Sequence, residues 1–351
     1  MSGLLSLRPE RLRELSLFAV MAVAVFIFSL LIDNYIGGSF FNRVTTSVAI
    51  TAVLAAGQTL VILTRNIDLS VGSIVGVTAY VTGEYLHSHP DLAPLLAVGY
   101  AVGIGAGLGL LNGVLVAYAK VPSIIVTLGT LAIYRTWLIN HSDSRTITSD
   151  GLPDWVVELP NSTIVSFGEF DIRTVVAGAI VLIVVLQLIL GGLKWGRWVY
   201  AVGSNPDAAR QAALPVERVL LGAFVASGAL AGLAGFLFLS RFGTITVNAG
   251  NGLELQAVAA SVVGGVNIFG GSGTLVGSFL GAVLINLLDQ SLLRVPGLSE
   301  FWRDAVLGTL ILTAVAVDFL LGKRLGRLST RARGRPAAGV PPPGQGAASD
   351  A

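Results

Sequence analysis

Thr45-Thr-Ser-Val-Ala-Ile-Thr-Ala-Val-Leu-Ala-Ala-Gly-Gln-Thr-Leu-Val-Ile-Leu-Thr64 carries no charge, and Arg65, Asn66 and Asp68 follow it at once. A bilayer core of about 30 Å needs roughly 20 mostly apolar residues, each rising about 1.5 Å. The run therefore reads as a spanning helix that stops at a polar break. Working outward, 16–32, 92–118, 174–193, 219–240 and 304–322 read the same way. Shorter or glycine-richer runs lie at 73–88, 121–140, 255–270 and 273–292. The expected fold is an all-α polytopic membrane protein of about ten spans. The 92–118 run exceeds one bilayer thickness, which predicts tilt or a break there.

Composition agrees. Of 351 residues, 54% are hydrophobic and only 12% charged, too little charge to cover a soluble surface of this size. That excludes a cytosolic enzyme, a nucleic-acid binder and a disordered hub. The net charge of +2 steers no polyanion, so the expected surroundings are membrane lipid and not nucleic acid. The chain has no cysteine, which removes disulfides, thiolate metal sites and a cysteine nucleophile. Arg8, Arg11 and Arg13 precede the first apolar run, but no small-x-small cleavage site follows Asp33. That run reads as a retained helix and not as a signal peptide.

Lysine and arginine set the orientation. With the N-terminus in the cytoplasm, Arg65, Lys120, Lys194, Arg197, Arg210 and Arg218 fall on the inner side with Arg8, Arg11 and Arg13. Lys323, Arg324, Arg327, Arg331, Arg333 and Arg335 join them if the C-terminus is also cytoplasmic. The largest outer loop, 141–173, carries Asp143, Asp150, Asp154, Glu158, Glu169 and Asp171 against Arg145 and Arg173. The chain thus divides into a cytoplasmic N-terminus (1–15), a transmembrane domain (16–322) and a basic, Pro-rich cytoplasmic tail (323–351). The tail's composition cannot build a core and reads as disordered.

Within the spans, glycine recurs as Gly103-Ile-Gly-Ala-Gly-Leu-Gly109, as Gly228, Gly232 and Gly235, and as Gly273, Gly277 and Gly281. Small residues at such spacing let helix backbones approach closely. Asp68, Glu84 and Asp289 are the main ionisable groups, all near expected helix ends. This counts against an ion-coupled secondary carrier, the alternative function, which needs carboxylates near mid-membrane. His87, His89 and His141 lie outside the spans without metal-ligand spacing, and no G-x-x-x-x-G-K-[ST] phosphate loop is present. No catalytic residue, metal or cofactor is expected in this chain. If ATP drives it, ATP and magnesium sit on another polypeptide.

Residues 193–218 form the most informative polar connection. Asn205 suits an N-cap, Pro206 the first helical position, and Asp207 the positive helix end. Ala208, Ala209, Ala212 and Ala213 then favour helix until Pro215 stops it. The expectation is a rigid helix of about two turns whose small side chains fit a partner's groove. Gln58, Asn66, Asn112, Thr127, Gln256 and Asn267, with Asn286, either wet a pathway for a polar solute or bridge helices by hydrogen bonds. Asp68 is expected to cap or brace the helix that follows it. Asn66-Ile67 with Gly72, Val75 and Gly76 reappears as Asn267-Ile268 with Gly273, Val276 and Gly277, a candidate internal duplication.

Four stretches carry a family resemblance: Gly57–Ser73 with Ile67-Asp-Leu-Ser-Val-Gly72, Val121–Thr130, Gly196–Val216 with Tyr200-Ala-Val-Gly-Ser-Asn-Pro-Asp-Ala-Ala-Arg210, and Glu254–Gly277. On these the chain, over 16–322, resembles the inner-membrane permease subunit of ribose/xylose/rhamnose-type ABC importers. Arg65-Asn66 departs from the pattern, because the family often has glycines there. The resemblance implies a multi-pass inner-membrane protein that works with a second permease copy, a cytoplasmic ATP-binding subunit and a periplasmic sugar-binding protein. It also implies that Asn205, Pro206, Asp207, Ala208, Ala209 and Arg210 form the ATPase-coupling helix, with Arg210 facing an acidic rim. Loop 141–173 would meet the binding protein. The Phe301-Trp-Arg-Asp and Val317-Asp318 end resembles the rhamnose and autoinducer-2 side of the family.

Overall fold

The computed structural model describes residues 9–296 and helical positions between 302 and 313. The expected last span, 304–322, lies mostly outside the described residues, as do residues 1–8 and the tail 323–351. In chain order the helices are α1 (Pro9–Leu31), α2 (Gly38–Leu63), α3 (Val71–Ser88), α4 (Pro94–Ala117) and α5 (Ser123–Ser142). Then come the short α6 (Asp154–Glu158), α7 (Thr174–Gly192), α8 (Lys194–Ser204) and α9 (Pro206–Gln211). After these come α10 (Val216–Phe242), α11 (Leu253–Val263) and α12 (Leu275–Leu292). Six of these, α2, α4, α5, α7, α10 and α12, are long and apolar enough to cross a membrane.

The helix that contains residues 45–63, α2, is the axis of the bundle. The apolar window of α2 is buried along its whole length, with α10, α12, α11 and α7 packed around it. By contrast only 17% of the α7 window and 22% of the α4 window is buried. The outer faces of these two helices present Val181, Val184, Leu188, Leu95, Leu111 and Leu115, side chains suited to lipid tails. Polar groups turn inward instead: Thr59 of α2 bonds to the Ser278 hydroxyl at 2.6 Å, and Ser261 donates to the Ala55 carbonyl at 3.1 Å. The long 92–118 run is one continuous helix, α4, with no break.

Close backbone approach explains much of the glycine. A Cβ at Gly105 would overlap the Gly228 carbonyl, and one at Gly109 would overlap that of Phe224. Conversely, a Cβ at Gly228 would overlap the Gly105 carbonyl, so α4 and α10 meet backbone to backbone. Gly103 and Gly107, two residues away along the same run and off that face, have open space beside them. At the other seam, Gly277 and Gly281 of α12 abut Gly264 and the Ala260 carbonyl at the end of α11.

Three features depart from the expected pattern. The fold is not purely helical, because Thr163–Phe167 (β1) and Phe170–Arg173 (β2) form an antiparallel hairpin in the 141–173 loop. Its β-branched and aromatic residues favour strands, and Gly168, at φ 63°, supplies the first turn position. Asn42 pins the hairpin to the start of α2, donating to the Glu169 carbonyl at 3.1 Å and accepting from the Asp171 N–H at 3.0 Å. Second, the 255–270 run yields only the eleven-residue α11, too short to span by itself. Its C-terminal part, Gly264-Gly-Val-Asn-Ile-Phe-Gly270, is a glycine-rich break, with Gly265 and Gly270 in the left-handed region. Third, residues 194–204 fold into α8 ahead of the expected short helix.

Candidate coupling and translocation site

Two non-helical breaks meet at the end of the bundle where α2 stops. In the first, residues 64–70, Asp68 is fully buried. Its Oδ1 accepts from the Ser70 N–H at 3.0 Å and the Ser70 hydroxyl at 2.7 Å, and Oδ2 accepts from Ser227 of α10 at 3.4 Å. Asn112 of α4 donates to the Ser70 hydroxyl at 2.7 Å, and the Tyr134 hydroxyl of α5 reaches Leu108 O at 3.0 Å. The Gln58 amide clamps the Asp68 backbone, donating to its carbonyl at 3.0 Å and accepting from its N–H at 3.2 Å. Thr127 donates to Ile67 O at 3.3 Å, and Asn66 folds back onto the Thr64 carbonyl at 2.9 Å.

The second break, residues 264–274, joins α11 to α12. Asn267 closes a tight turn, with its Oδ1 accepting from the Phe269 N–H at 2.9 Å. Thr274 caps α12 by accepting from the Gly277 N–H at 2.9 Å, and Gln187 of α7 accepts from the Leu275 N–H at 2.8 Å. The Gly271 N–H reaches across to Leu63 O, the last residue of α2, at 3.0 Å. The two breaks are therefore bonded to one another.

The polar connection from α7 to α10 sits on this junction. Trp195, Val199 and Val202 fall at helical spacing on α8 and turn inward. At its C-terminus the chain passes so near α2 that a Cβ on Gly203 would overlap the Leu63 carbonyl. Arg65, at φ 66°, donates from Nε to Gly203 O at 2.5 Å and from Nη2 to Ser204 O at 2.6 Å. The Tyr200 hydroxyl donates to Gly273 O at 2.8 Å. One connection thus grips both breaks. The left-handed φ of Arg65 also accounts for the departure at this position, since glycine takes that conformation without a Cβ clash.

Beyond this grip the chain turns into α9. Asn205 Oδ1 accepts from the Asp207 N–H at 3.1 Å and the Ala208 N–H at 3.0 Å, so it is the expected N-cap, with Pro206 first in the helix. Ala213, at φ 56°, ends the turn. Ala209 packs inward, whereas Asp207 and Ala208 face outward. Arg210 stays half-exposed and lies 3.5 Å from Asp207 and 3.7 Å from Glu217.

Of the six polar residues singled out for a pathway, Gln58, Asn66, Asn112 and Thr127 converge on the first break, and Asn267 shapes the second. Gln256 is buried apart from them on α11. Gln58, Asn112 and Thr127 have no exposed surface, which matches a bracing role more closely than contact with solute. Asn286 likewise donates to Ala282 O within its own helix at 2.8 Å. Arg135 belongs to no local motif in the sequence. Arg135 lies inside α5 and donates to Val247 O at 2.9 Å and Ala249 O at 2.6 Å. Only the three-dimensional course of residues 243–252 discloses that contact.

A family model described as the permease component of a branched-chain amino acid transport system matches residues 39–315. The Autoinducer 2 import system permease protein LsrC of Yersinia enterocolitica is 38% identical over 307 residues, covering 87% of this chain and 80% of the relative. The protein of the same name from Yersinia pseudotuberculosis is 37% identical over 307 residues, covering 87% and 82%. No solved structure matches. The family match begins at the second residue of α2 and runs through both breaks, the grip of Arg65 and the α8–α9 connection. The chain belongs to this family of membrane transport permeases.

Proposed function

We propose that this protein is the membrane subunit of an ABC importer for autoinducer 2 or a closely similar small polyhydroxylated solute. The family match makes it a permease, and the LsrC relatives, named for autoinducer 2 import, point to the cargo. The bacterial inner membrane is its site, in keeping with the apolar helices. ATP is hydrolysed on a separate cytoplasmic subunit, a periplasmic binding protein delivers the solute, and a second permease copy, identical or homologous, completes the pathway.

The proposed topology has ten crossings with both ends cytoplasmic. The junction of the two breaks then lies on the inner side, together with the basic residues Arg65, Lys194, Arg197, Arg210 and Arg218. The hairpin-bearing loop 141–173, rich in acids, faces the binding protein. In this topology α9 is the coupling helix: Asn205, Pro206, Asp207, Ala208, Ala209 and Arg210 enter a groove of the ATPase. Closure of the ATPase dimer moves α9, and the α8 grip carries the movement to both breaks at once.

The observation that carries this function is the capped α9 on a connection bonded to both breaks. Replacing Pro206–Arg210 by a Gly/Ser linker tests it. Co-purification with the ATPase is expected to be lost while the chain still inserts in the membrane. Undiminished co-purification with ATP-driven uptake of autoinducer 2 would refute the coupling role.

A further inference from the structure

Residues Gly243-Thr-Ile-Thr-Val-Asn-Ala-Gly-Asn-Gly252 join α10 to α11 without forming a helix. They do not stay at the end of the bundle where α10 finishes. Ile245 pairs with Ile147 through two backbone hydrogen bonds of 2.9 and 3.0 Å, near the level at which α5 ends. The chain then descends. Arg135, which donates to the Val247 and Ala249 carbonyls, lies seven residues before the end of α5, about 10 Å down at 1.5 Å per residue. Gly76, whose Cβ would come within 2.5 Å of Ala249 O, lies twelve residues before the end of α3, about 18 Å down. The segment therefore enters the depth of the membrane as extended and turning backbone, and α11 starts from there.

Irregular backbone at that depth survives only where protein buries it or where it borders water. Here the backbone is largely served by protein: Ile147 pairs with Ile245, Arg135 holds the Val247 and Ala249 carbonyls, and the Ala249 N–H reaches Thr246 O at 3.0 Å. Its side chains alternate. Ile245 and Ala249 are buried against the bundle, whereas Thr244, Thr246, Asn248 and Asn251 are exposed. Hydroxyls and amides turned out of the bundle at this depth are unsuited to lipid tails.

We propose that Thr246 and Asn248 form a wall of the translocation pathway and hydrogen-bond a neutral, polyhydroxylated solute as it passes. Both residues offer a donor and an acceptor, as a hydroxyl-rich solute requires, and neither carries a charge. The charges nearby are directed elsewhere, Arg135 to backbone carbonyls and the Glu254 carboxylate to the Gly252 N–H at 3.2 Å. This wall lies apart from Gln58, Asn112 and Thr127, whose hydrogen bonds are taken up inside the protein. It rests on the permease function proposed above.

Because the chain has no cysteine, single-cysteine variants report without background. Thr246→Cys, Asn248→Cys and the inward-facing Ile245→Cys are produced in cells with the ATPase and binding protein, then treated from outside with a membrane-impermeant maleimide. Thr246→Cys and Asn248→Cys are expected to label and Ile245→Cys to remain unlabelled. Labelling of either outward position is expected to cause loss of autoinducer 2 uptake without releasing the ATPase. Two unlabelled outward positions would overturn the wall, and so would full uptake after complete labelling. Wild-type complex assayed alongside separates the two ideas. If it shows no ATP-driven uptake, the permease function for this solute falls, and the wall falls with it.

Discussion

Arg65 holds a backbone conformation that costs a residue with a side chain roughly 1–2 kcal/mol. It offsets that strain with two hydrogen bonds from its guanidinium, each contributing about 1.5–3 kcal/mol when the donor is charged. Arg65→Gly removes the strain and the bonds together, whereas Arg65→Ala removes only the bonds. The alanine variant is therefore expected to be less stable than the glycine variant by about 1 kcal/mol. Thermal melting of the purified proteins checks the order, and an alanine variant that melts at or above the glycine variant would refute the strain. Both variants are expected to keep the ATPase bound but to import less solute per ATP, since the grip on the coupling connection is gone. Asn205 is legible where Arg65 is not. A cap bonds to its own neighbours two and three residues on, so the sequence displays it, and Asn205→Ala is expected to weaken α9 by about 1 kcal/mol. The partners of Arg65 lie at Gly203 and Ser204, far along the chain, and no local pattern announces them.

At the level of helices, the α4–α10 seam makes a sharp prediction, because neighbouring glycines of one run differ in kind. Gly105 and Gly109 touch the backbone of α10, whereas Gly103 and Gly107 face open space. Gly105→Ala and Gly109→Ala push two backbones apart and are expected to destabilise by about 1–3 kcal/mol, as overpacking does. Gly103→Ala and Gly107→Ala are expected to be neutral or to stabilise slightly, through the better helix propensity of alanine. Loss of folded protein in detergent on heating measures the difference. Helix positions were legible because membrane solvation imposes length and apolarity on every span. The course of 243–252 was not, since polar residues and glycine between two apolar runs read as surface loop wherever they go. The hairpin at 163–173 hid in the same way: its strands are short, and its anchor, Asn42, belongs to α2. The repeat of Asn66-Ile67 at Asn267-Ile268 marks the two breaks that the Gly271–Leu63 bond joins, a correspondence visible only once both are placed.

For the whole molecule, the question is where the energy for transport enters. An ion-coupled carrier needs a carboxylate that exchanges its ion with water on alternate sides. Asp68 is sealed from solvent, its oxygens already accept from Ser70 and Ser227, and its backbone is clamped by Gln58. Glu84 lies 2.8 Å from His141 near the end of α3, and Glu254 is turned back onto Gly252. These groups hold parts of the bundle in register. In the proposed mechanism the moving part is instead the α8–α9 connection, which is bonded to both breaks and presents a capped helix outward. On that proposal, energy delivered there reaches the first break through Arg65 and the second through Tyr200, and the Gly271–Leu63 bond ties the two together. Uptake of autoinducer 2 by cells carrying the complete importer is therefore expected to stop on ATP depletion. It is expected to persist when a protonophore collapses the ion gradient while cellular ATP is maintained. Uptake that survives ATP depletion and fails with the protonophore would show that the breaks are driven by an ion and that α9 is not the point of entry.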